Sequence, residues 1–345
     1  MMVIRPIRAE DYPELYDIAV ESGHGFTSLP VNDELLQRKI SRSEASFAKK
    51  VDKPGDEGYL FVLEDPETGA VVGTSAIEAA VGLDDAFYHY HLGKVVHTSR
   101  ALGVYNPVDI LTLCNDYTGV SELCTLFLRE SCRKKNNGRL LSKFRFLFIA
   151  EFRSRFADRV IAEMRGVSDE DGHSPFWKWL QDSFFSVDFP TADYLTGIGQ
   201  KVFIAELMPR FPVYVNLLPA EARAVIAEVH PHTLPAAKVL MSEGLKYQGY
   251  VDIFDAGPTL EANTADLRAV KESRTVKVKI TEQIETTDTH YLVANDQYKN
   301  YCVLLINNKV CDGDTLMITS AQAQALQVNE QDEVRVLALD KMENH

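Results

Sequence analysis

The residues most able to do chemistry gather in one run, Cys132-Arg-Lys-Lys-Asn-Asn-Gly-Arg-Leu-Leu-Ser-Lys143. Three cations, Arg133, Lys134 and Lys135, lead into Asn136, Asn137 and Gly138, and a helical pattern begins at once. Amides at a helix start are unpaired and lie at the positive end of the helix dipole, so they bind phosphate. Asn and Gly tolerate the left-handed backbone that an anion-cradling turn needs. An exposed basic turn would use the same residue types. Position separates the two readings: the run joins an apolar strand pattern, Glu122 to Leu128, to a long apolar helix pattern, so a ligand would lie on the strand's end. The run is not a Walker loop, which needs Gly-Lys-Ser/Thr after a four-residue gap. Gly197-Ile-Gly-Gln-Lys-Val202 lacks the third glycine of a dinucleotide fingerprint.

Other reactive side chains are scattered. His230-Pro-His232 and His89-Tyr-His91 have the look of metal pairs, but no third ligand cluster accompanies either, and no metal is expected. His230 falls between one helix pattern and the Thr233 cap of the next, with Pro231 biasing it toward extended backbone. On that pattern alone it fits an ordinary surface or capping histidine. Strand alternation would put Cys124, Leu126 and Leu128 on one face, a packed core cysteine rather than a nucleophile.

The elements that must hold these groups follow from periodicity. Val3 to Ile7 reads as a strand and Asp11 to Val20 as a helix. Tyr59 to Glu64 and Ala70 to Glu78 read as a hairpin closed by Asp65-Pro-Glu-Thr-Gly69. Leu141, Phe144, Phe148, Phe152 and Phe156 keep helical spacing after the basic run, and Val160 to Met164 returns as a strand. Pro175 to Phe185, Pro219 to Val229 and Leu234 to Glu243 read as helices, the last stopping at Gly244. The expectation is an α/β (α+β) fold, a mixed sheet flanked by helices. From Thr275 the texture turns β-branched and polar, which predicts a domain over 1–274 and a small β-rich subdomain over 275–345. A net charge of −14 argues against nucleic acid and favours a cationic small substrate. No apolar run reaches membrane length, and the start lacks a signal peptide's apolar core. Five cysteines without framework spacing fit a reducing compartment, so a soluble cytoplasmic protein is expected.

The strand–loop–helix around Gly138 resembles the acyl-CoA-binding element of the GCN5-related N-acetyltransferase fold, whose loop reads Arg/Gln-x-x-Gly-x-Gly/Ala. Here Arg133-Lys-Lys-Asn-Asn-Gly138 departs only in having Asn136 for the first glycine. Longer strings, among them Ser121-Glu-Leu-Cys-Thr-Leu-Phe-Leu128, Ala162-Glu-Met-Arg-Gly166, Phe203-Ile-Ala-Glu-Leu-Met-Pro209 and Tyr250-Val-Asp-Ile-Phe-Asp255, resemble the arginine N-succinyltransferase family. That resemblance implies transfer of the succinyl group of succinyl-CoA to the α-amine of L-arginine, the first step of a route of arginine breakdown. Succinyl-CoA would be a co-substrate, with no permanently bound cofactor. It implies CoA contacts from Leu126, Phe127 and Leu128 on the strand and from Arg133, Lys134, Asn136, Asn137 and Gly138 in the loop. It also makes His230, in Val229-His-Pro231, the catalytic acid/base, and leaves the oxyanion to strand amides of Leu126–Leu128. The guanidinium needs carboxylates, for which Glu122, Glu163, Asp252 and Asp255 are candidates. The succinyl carboxylate needs a cation, for which Arg165 and Lys201 are candidates. Subunits of the family associate, so a homo-oligomer or a pair with a paralogous subunit is expected. The alternatives are an ornithine-preferring enzyme, or a non-catalytic acyl-CoA- or amino-acid-binding subunit of a heteromeric one.

Overall fold

The computed structural model describes residues 1–23, 28–169, 172–200, 202–311 and 314–341. In chain order its strands are β1 (Val3–Pro6), β2 (Gly58–Asp65), β3 (Ala70–Glu78), β4 (His89–Ser99), β5 (Val104–Cys114), β6 (Ser121–Leu128), β7 (Arg159–Glu163) and β8 (Val213–Tyr214). They continue as β9 (Lys246–Val251), β10 (Pro258–Asn263), β11 (Arg274–Ile280), β12 (Thr286–Asn295), β13 (Val303–Asn308), β14 (Val310–Cys311), β15 (Thr315–Ile318) and β16 (Glu333–Ala338). All join one sheet in the order β14-β15-β11-β16-β12-β13-β1-β2-β3-β6-β7-β10-β9-β4-β5-β8. Three helices matter for the site: α1 (Tyr12–Ser22), α2 (Asp33–Ala48) and α3 (Asn137–Glu151). The fold is the mixed α/β sheet flanked by helices that the periodicity predicts. No helix among the described residues is long and apolar enough to cross a membrane.

Strand alternation sorts the core into two layers. Tyr59, Phe61 and Leu63 of β2 face α3, where Phe61 meets Phe144 and Phe148 with ring centroids 4.8 and 5.0 Å apart. Leu60 and Val62 face the other way, onto Leu15 and Ile18 of α1 and Leu36 and Ile40 of α2. The β2–β3 turn is local chemistry: Gly69 takes φ 72°, and its amide donates to the Asp65 carbonyl at 2.7 Å. β6 and β7 run parallel, as a strand–helix–strand connection through α3 requires. They pair at Ser121–Val160 and Glu122–Ile161, and among the described residues the β6–β7 ladder goes no further.

The C-terminal tail is β-rich, as expected, and it extends the same sheet. β13 pairs antiparallel with β1 at Val3–Leu304 and Ile4–Val303, and the tail packs its own core around Val276, Val278, Leu304 and Val334. A buried ion cluster rivets it to α3. Arg268 grips Glu243 (Nη2–Oε1 2.8 Å), Lys143 reaches the same carboxylate at 2.7 Å, and these cations also donate to the Ala338 and Leu339 carbonyls at 3.0 and 2.8 Å.

Three elements differ from their sequence pattern. The helix read from Arg139 to about Phe156 ends at Glu151, and Arg153–Arg155 is a 3-10 turn. The helix expected over Pro219 to Val229 covers only Ala220–Ala224, and Ala227 then turns left-handed at φ 62°. Thr233 precedes the helix Leu234–Ser242 but does not cap it; its hydroxyl donates to the His230 carbonyl instead, at 3.1 Å.

Candidate active site

Leu128 ends β6 and leads through a short 3-10 turn, Glu130–Cys132, into the basic loop. Lys135 (φ 51°) and Asn136 (φ 64°, ψ 13°) are both left-handed, and α3 starts at Asn137. The buried Asn137 locks the turn: its Nδ2 donates to the Cys132 carbonyl and its amide to the Lys134 carbonyl, each at 3.0 Å. Among the described residues, the amides of Lys135, Asn136, Gly138 and Arg139 meet no protein acceptor. Four free amides at a helix start, beside exposed Lys134 and Lys135, make an anion cradle. Two details correct the sequence expectation. The left-handed residues are Lys135 and Asn136, while Asn137 and Gly138 are already helical. Arg133 is exposed, but its Nε is tied back to the Leu128 carbonyl at 3.1 Å. A Cβ on Gly138 would meet only Leu128 Cδ2, at 3.8 Å, so the fold itself does not demand glycine there.

Upstream, β6 carries a bulge. Thr125 has φ 54°, and Ala76 pairs with Cys124 while Thr74 pairs with Phe127, three steps on β6 against two on β3. The extra residue overturns the expected alternation. Leu126 and Leu128 pack on the α3 side, whereas Cys124 turns to the α1–α2 side. Burial pushes the Cys124 thiol well up, so it stays protonated and unreactive.

His230 is moored to the far end of β7. Its amide donates to the Arg165 carbonyl at 2.8 Å, and the residue is 7% exposed. β6 and β7 are parallel, so His230 and the basic loop stand at the carboxyl ends of neighbouring strands. Burial lowers the His230 pKa below its usual 6.5; Arg165 and His232 push the same way, and the Ser168 carbonyl opposes them. The imidazole is therefore neutral at pH 7. Its Nδ1 accepts the His232 amide at 3.2 Å, which leaves the proton on Nε2, the form able to donate. Arg165, for its part, donates to Ser168 Oγ at 2.9 Å, and Lys201 lies outside the described residues.

On the α1–α2 face a cleft of about 530 Å³ opens over the sheet, and Glu122, Glu163, Asp252 and Glu78 line it with Lys39, Arg42 and Cys124. Three of the four proposed carboxylates thus come together from three separate strands or strand ends. Glu78 is already countered by Arg42 Nη2 at 2.6 Å. Asp255 is not in the cleft. Its buried carboxylate accepts the amides of Gly166 and Gly257 at 2.7 and 2.8 Å, where it clamps two backbone segments together. Burial, and then the charge of Asp252, raise its pKa. Beneath the cleft sits His89, which nothing along the chain singles out beyond its spacing from His91. It is fully buried, and burial pushes it to about 4 despite Asp252, Glu122 and Asp116 nearby. Its Nε2 lies 2.8 Å from Glu163 Oε1, a contact that misses hydrogen-bond angles. His230 does not line the cleft. A second cavity, about 280 Å³ around Arg5, Arg8 and Gln327, lies at the junction with the C-terminal strands, away from these groups.

Residues 2–269 match the family described as arginine N-succinyltransferase beta subunit, and residues 274–338 match that subunit's C-terminal domain. The chain belongs to the arginine N-succinyltransferase family. It is 53% identical to the arginine N-succinyltransferase of Yersinia pseudotuberculosis and 49% identical to that of Escherichia coli, covering 98% of both chains in each case. The solved arginine/ornithine succinyltransferase subunit AI from Pseudomonas aeruginosa superposes with a TM-score of 0.91 at 38% identity, covering 99% of each chain. In family terms, Val229-His230-Pro231 and the basic loop lie in the larger matched region, as does the acidic cleft.

Proposed function

We propose that the protein transfers the succinyl group of succinyl-CoA to the α-amine of L-arginine, releasing CoA and N2-succinyl-L-arginine. The observation that carries this reading is the parting of β6 and β7 after Glu122. The gap leads from the free amides of the basic loop, on the side where α3 starts, to an acidic cleft on the opposite face. An acyl-CoA laid along the open edge of β6 would rest its pyrophosphate on the loop and its pantetheine against Leu126, Phe127 and Leu128. Lys134, Asn136, Asn137 and Gly138 shape the phosphate seat, and Arg133 braces it from behind. The guanidinium of arginine is held from the cleft side by Glu122, Glu163 and Asp252, a cluster whose charge suits a cation.

The chemistry is a direct attack. The amine lone pair adds to the thioester carbon, amides along β6 take up the oxyanion, and the carbon–sulfur bond breaks. His230 takes the proton shed by the attacking nitrogen and hands it to the departing thiolate, so the imidazole ends neutral as it began. The Pseudomonas relative's name, with its ornithine and its subunit AI, supports ornithine as a second acceptor and assembly with further subunits. The test is free-thiol release by the purified protein with succinyl-CoA or acetyl-CoA against L-arginine, L-ornithine and L-lysine. Release confined to succinyl-CoA, fastest with arginine and slower with ornithine, is the expected result. Release with acetyl-CoA at the same rate would overturn the acyl assignment, and silence throughout would overturn activity of this chain alone.

A further inference from the structure

α3 buries a cation that the proposed mechanism has not used. Arg145 is 2% exposed, and among the described residues no carboxylate lies within ion-pair distance of it. Its hydrogen bonds stay inside its own helix: Nε donates to the Ser142 carbonyl at 3.0 Å and Nη2 to Ser142 Oγ at 3.1 Å. Burial pulls its pKa down to about 10, so it is still charged at pH 7. An uncompensated charge inside a core costs several kcal/mol, and such a group is retained where an anion completes it. Guanidinium is the cation best suited to that duty, since its planar fork matches a carboxylate.

Its position along the fold says which anion. From Asn137 to Arg145 the helix climbs about 12 Å at 1.5 Å per residue. Measured back along β6 from Leu128, about 12 Å is between three and four residues at 3.3 Å each, the level of the Thr125 bulge and Cys124. The nearby Cys124 thiol stays protonated and so gives Arg145 no counter-charge. The side of the helix agrees. Leu141, one turn before Arg145, lies against β3, where a Cβ on Gly73 would come within 2.9 Å of its Cδ2 and 3.1 Å of Leu128 Cδ1. One step of the same face further along β3 is Ser75, fully buried, whose Oγ has no hydrogen-bond partner. The register therefore brings an unpaired guanidinium, an unpartnered hydroxyl and the bulge to one level on the α3 face of the β3–β6 pair.

We infer that Arg145, helped by Ser75, is the subsite for the free carboxylate of the succinyl group and so sets the preference for a dicarboxylic acyl chain. The inference rests on the acyl-CoA reading above. A pantetheine arm passing Leu128 to Leu126 delivers the thioester beside the bulge, and a four-carbon acyl chain continues toward the guanidinium. An acetyl group would stop short of it.

The experiment compares succinyl-CoA with butyryl-CoA, its uncharged four-carbon counterpart, by calorimetric binding and by turnover with arginine. Wild-type protein should favour succinyl-CoA by about 10- to 150-fold, the worth of a charge-assisted hydrogen bond to a buried ion. In Arg145→Met that ratio should fall to near one, through loss of succinyl-CoA affinity with butyryl-CoA held or improved. Thermal stability should hold or rise, because an unpaired buried charge has been replaced by an apolar chain. Arg145→Lys, which keeps the charge but not the fork, should fall between. A ratio unchanged in both variants, or equal losses for the two acyl-CoAs, would overturn the subsite. A wild-type protein that binds both acyl-CoAs alike would overturn it even if Arg145→Met did not fold. Selective binding of succinyl-CoA without turnover would instead retain the subsite and count against the assigned reaction.

Discussion

Asn136 offers the sharpest test of the phosphate loop, because one residue's backbone holds the cradle open. At φ 64° and ψ 13° it sits in the left-handed region, next to Lys135 at φ 51°. Asn tolerates this geometry and Gly favours it, while an ordinary side chain, a β-branched one above all, pays about 1–2 kcal/mol. The Asn136 side chain makes no capping bond to the helix, so its replacement removes no helix cap. The strain of Asn136→Val is then relieved by shifting the loop, which moves the free amides of Lys135, Gly138 and Arg139 off the pyrophosphate. At tenfold per 1.4 kcal/mol, affinity for the CoA substrate should drop about 5- to 30-fold. With arginine held in the cleft on the other face, as proposed, its Michaelis constant should not move. Asn136→Gly, which costs nothing at that φ, should match the wild type within about twofold. The assay is thiol release with each substrate varied in turn, backed by calorimetric titration with CoA so that affinity is read apart from chemistry. A valine variant with unchanged CoA affinity would refute the cradle. So would one that weakens arginine and CoA together, since that pattern signals a general distortion.

His230→Ala should lower turnover by about 10²- to 10⁴-fold with little change in melting temperature, the range for a lost general acid/base. Because burial lowers the His230 pKa, the acid side of the kcat/KM profile should fall off below pH 6.5 in the wild type, as the imidazole gains a proton, and that limb should vanish in the alanine variant. Glu243→Ala strands the buried cations Arg268 and Lys143 and should cost about 3–5 kcal/mol by urea titration; a loss under 1 kcal/mol would show that the cluster is solvated in practice. Gly257→Ala puts a Cβ 2.0 Å from the Met164 carbonyl oxygen and 2.5 Å from the Gly166 amide, so it should destabilise by about 3 kcal/mol or more, and a neutral effect would contradict the Asp255 clamp.

What could be read along the chain was what depends on near neighbours. The Asp65–Gly69 turn, the β2–β3 hairpin and the apolar stripe of α3 follow from turn chemistry and periodicity within a few residues. α2 escaped notice although its cap is local, Asn32 accepting the Leu35 amide at 3.0 Å, because its sequence is mostly polar and only a narrow stripe through Leu36 and Ile40 is buried. β4 and β5 escaped for a related reason: their mutual hairpin is broadly exposed over Val95–Tyr105 and carries no clean alternation. The short Ala220–Ala224 helix looked longer because nothing local announces the left-handed Ala227, which donates its amide to the distant Ala256 carbonyl at 2.9 Å.

The site divides the same way. The sequence alone marked the basic loop as a candidate phosphate seat, because helix start, left-handed Asn and flanking lysines all lie within six residues. It marked His230 only through a resemblance, since a lone His-Pro carries no chemistry by itself. Which carboxylates share a cleft was a tertiary decision: Glu122 and Glu163 arrive on parallel strands joined by a helix, Asp252 from beyond the end of β9, and Asp255, three residues further on, is consumed by two backbone amides. The bulge at Thr125 decided which face Cys124 takes, and a one-residue slip reverses every side chain after it. Nothing along the chain singles out Arg145, and only the packing of α3 against β3 and β6 shows that its charge is buried with no carboxylate beside it among the described residues. Local energetics write turns, caps and amphipathic stripes into the chain; burial, and the cost of charges that share it, exist only once distant segments have met.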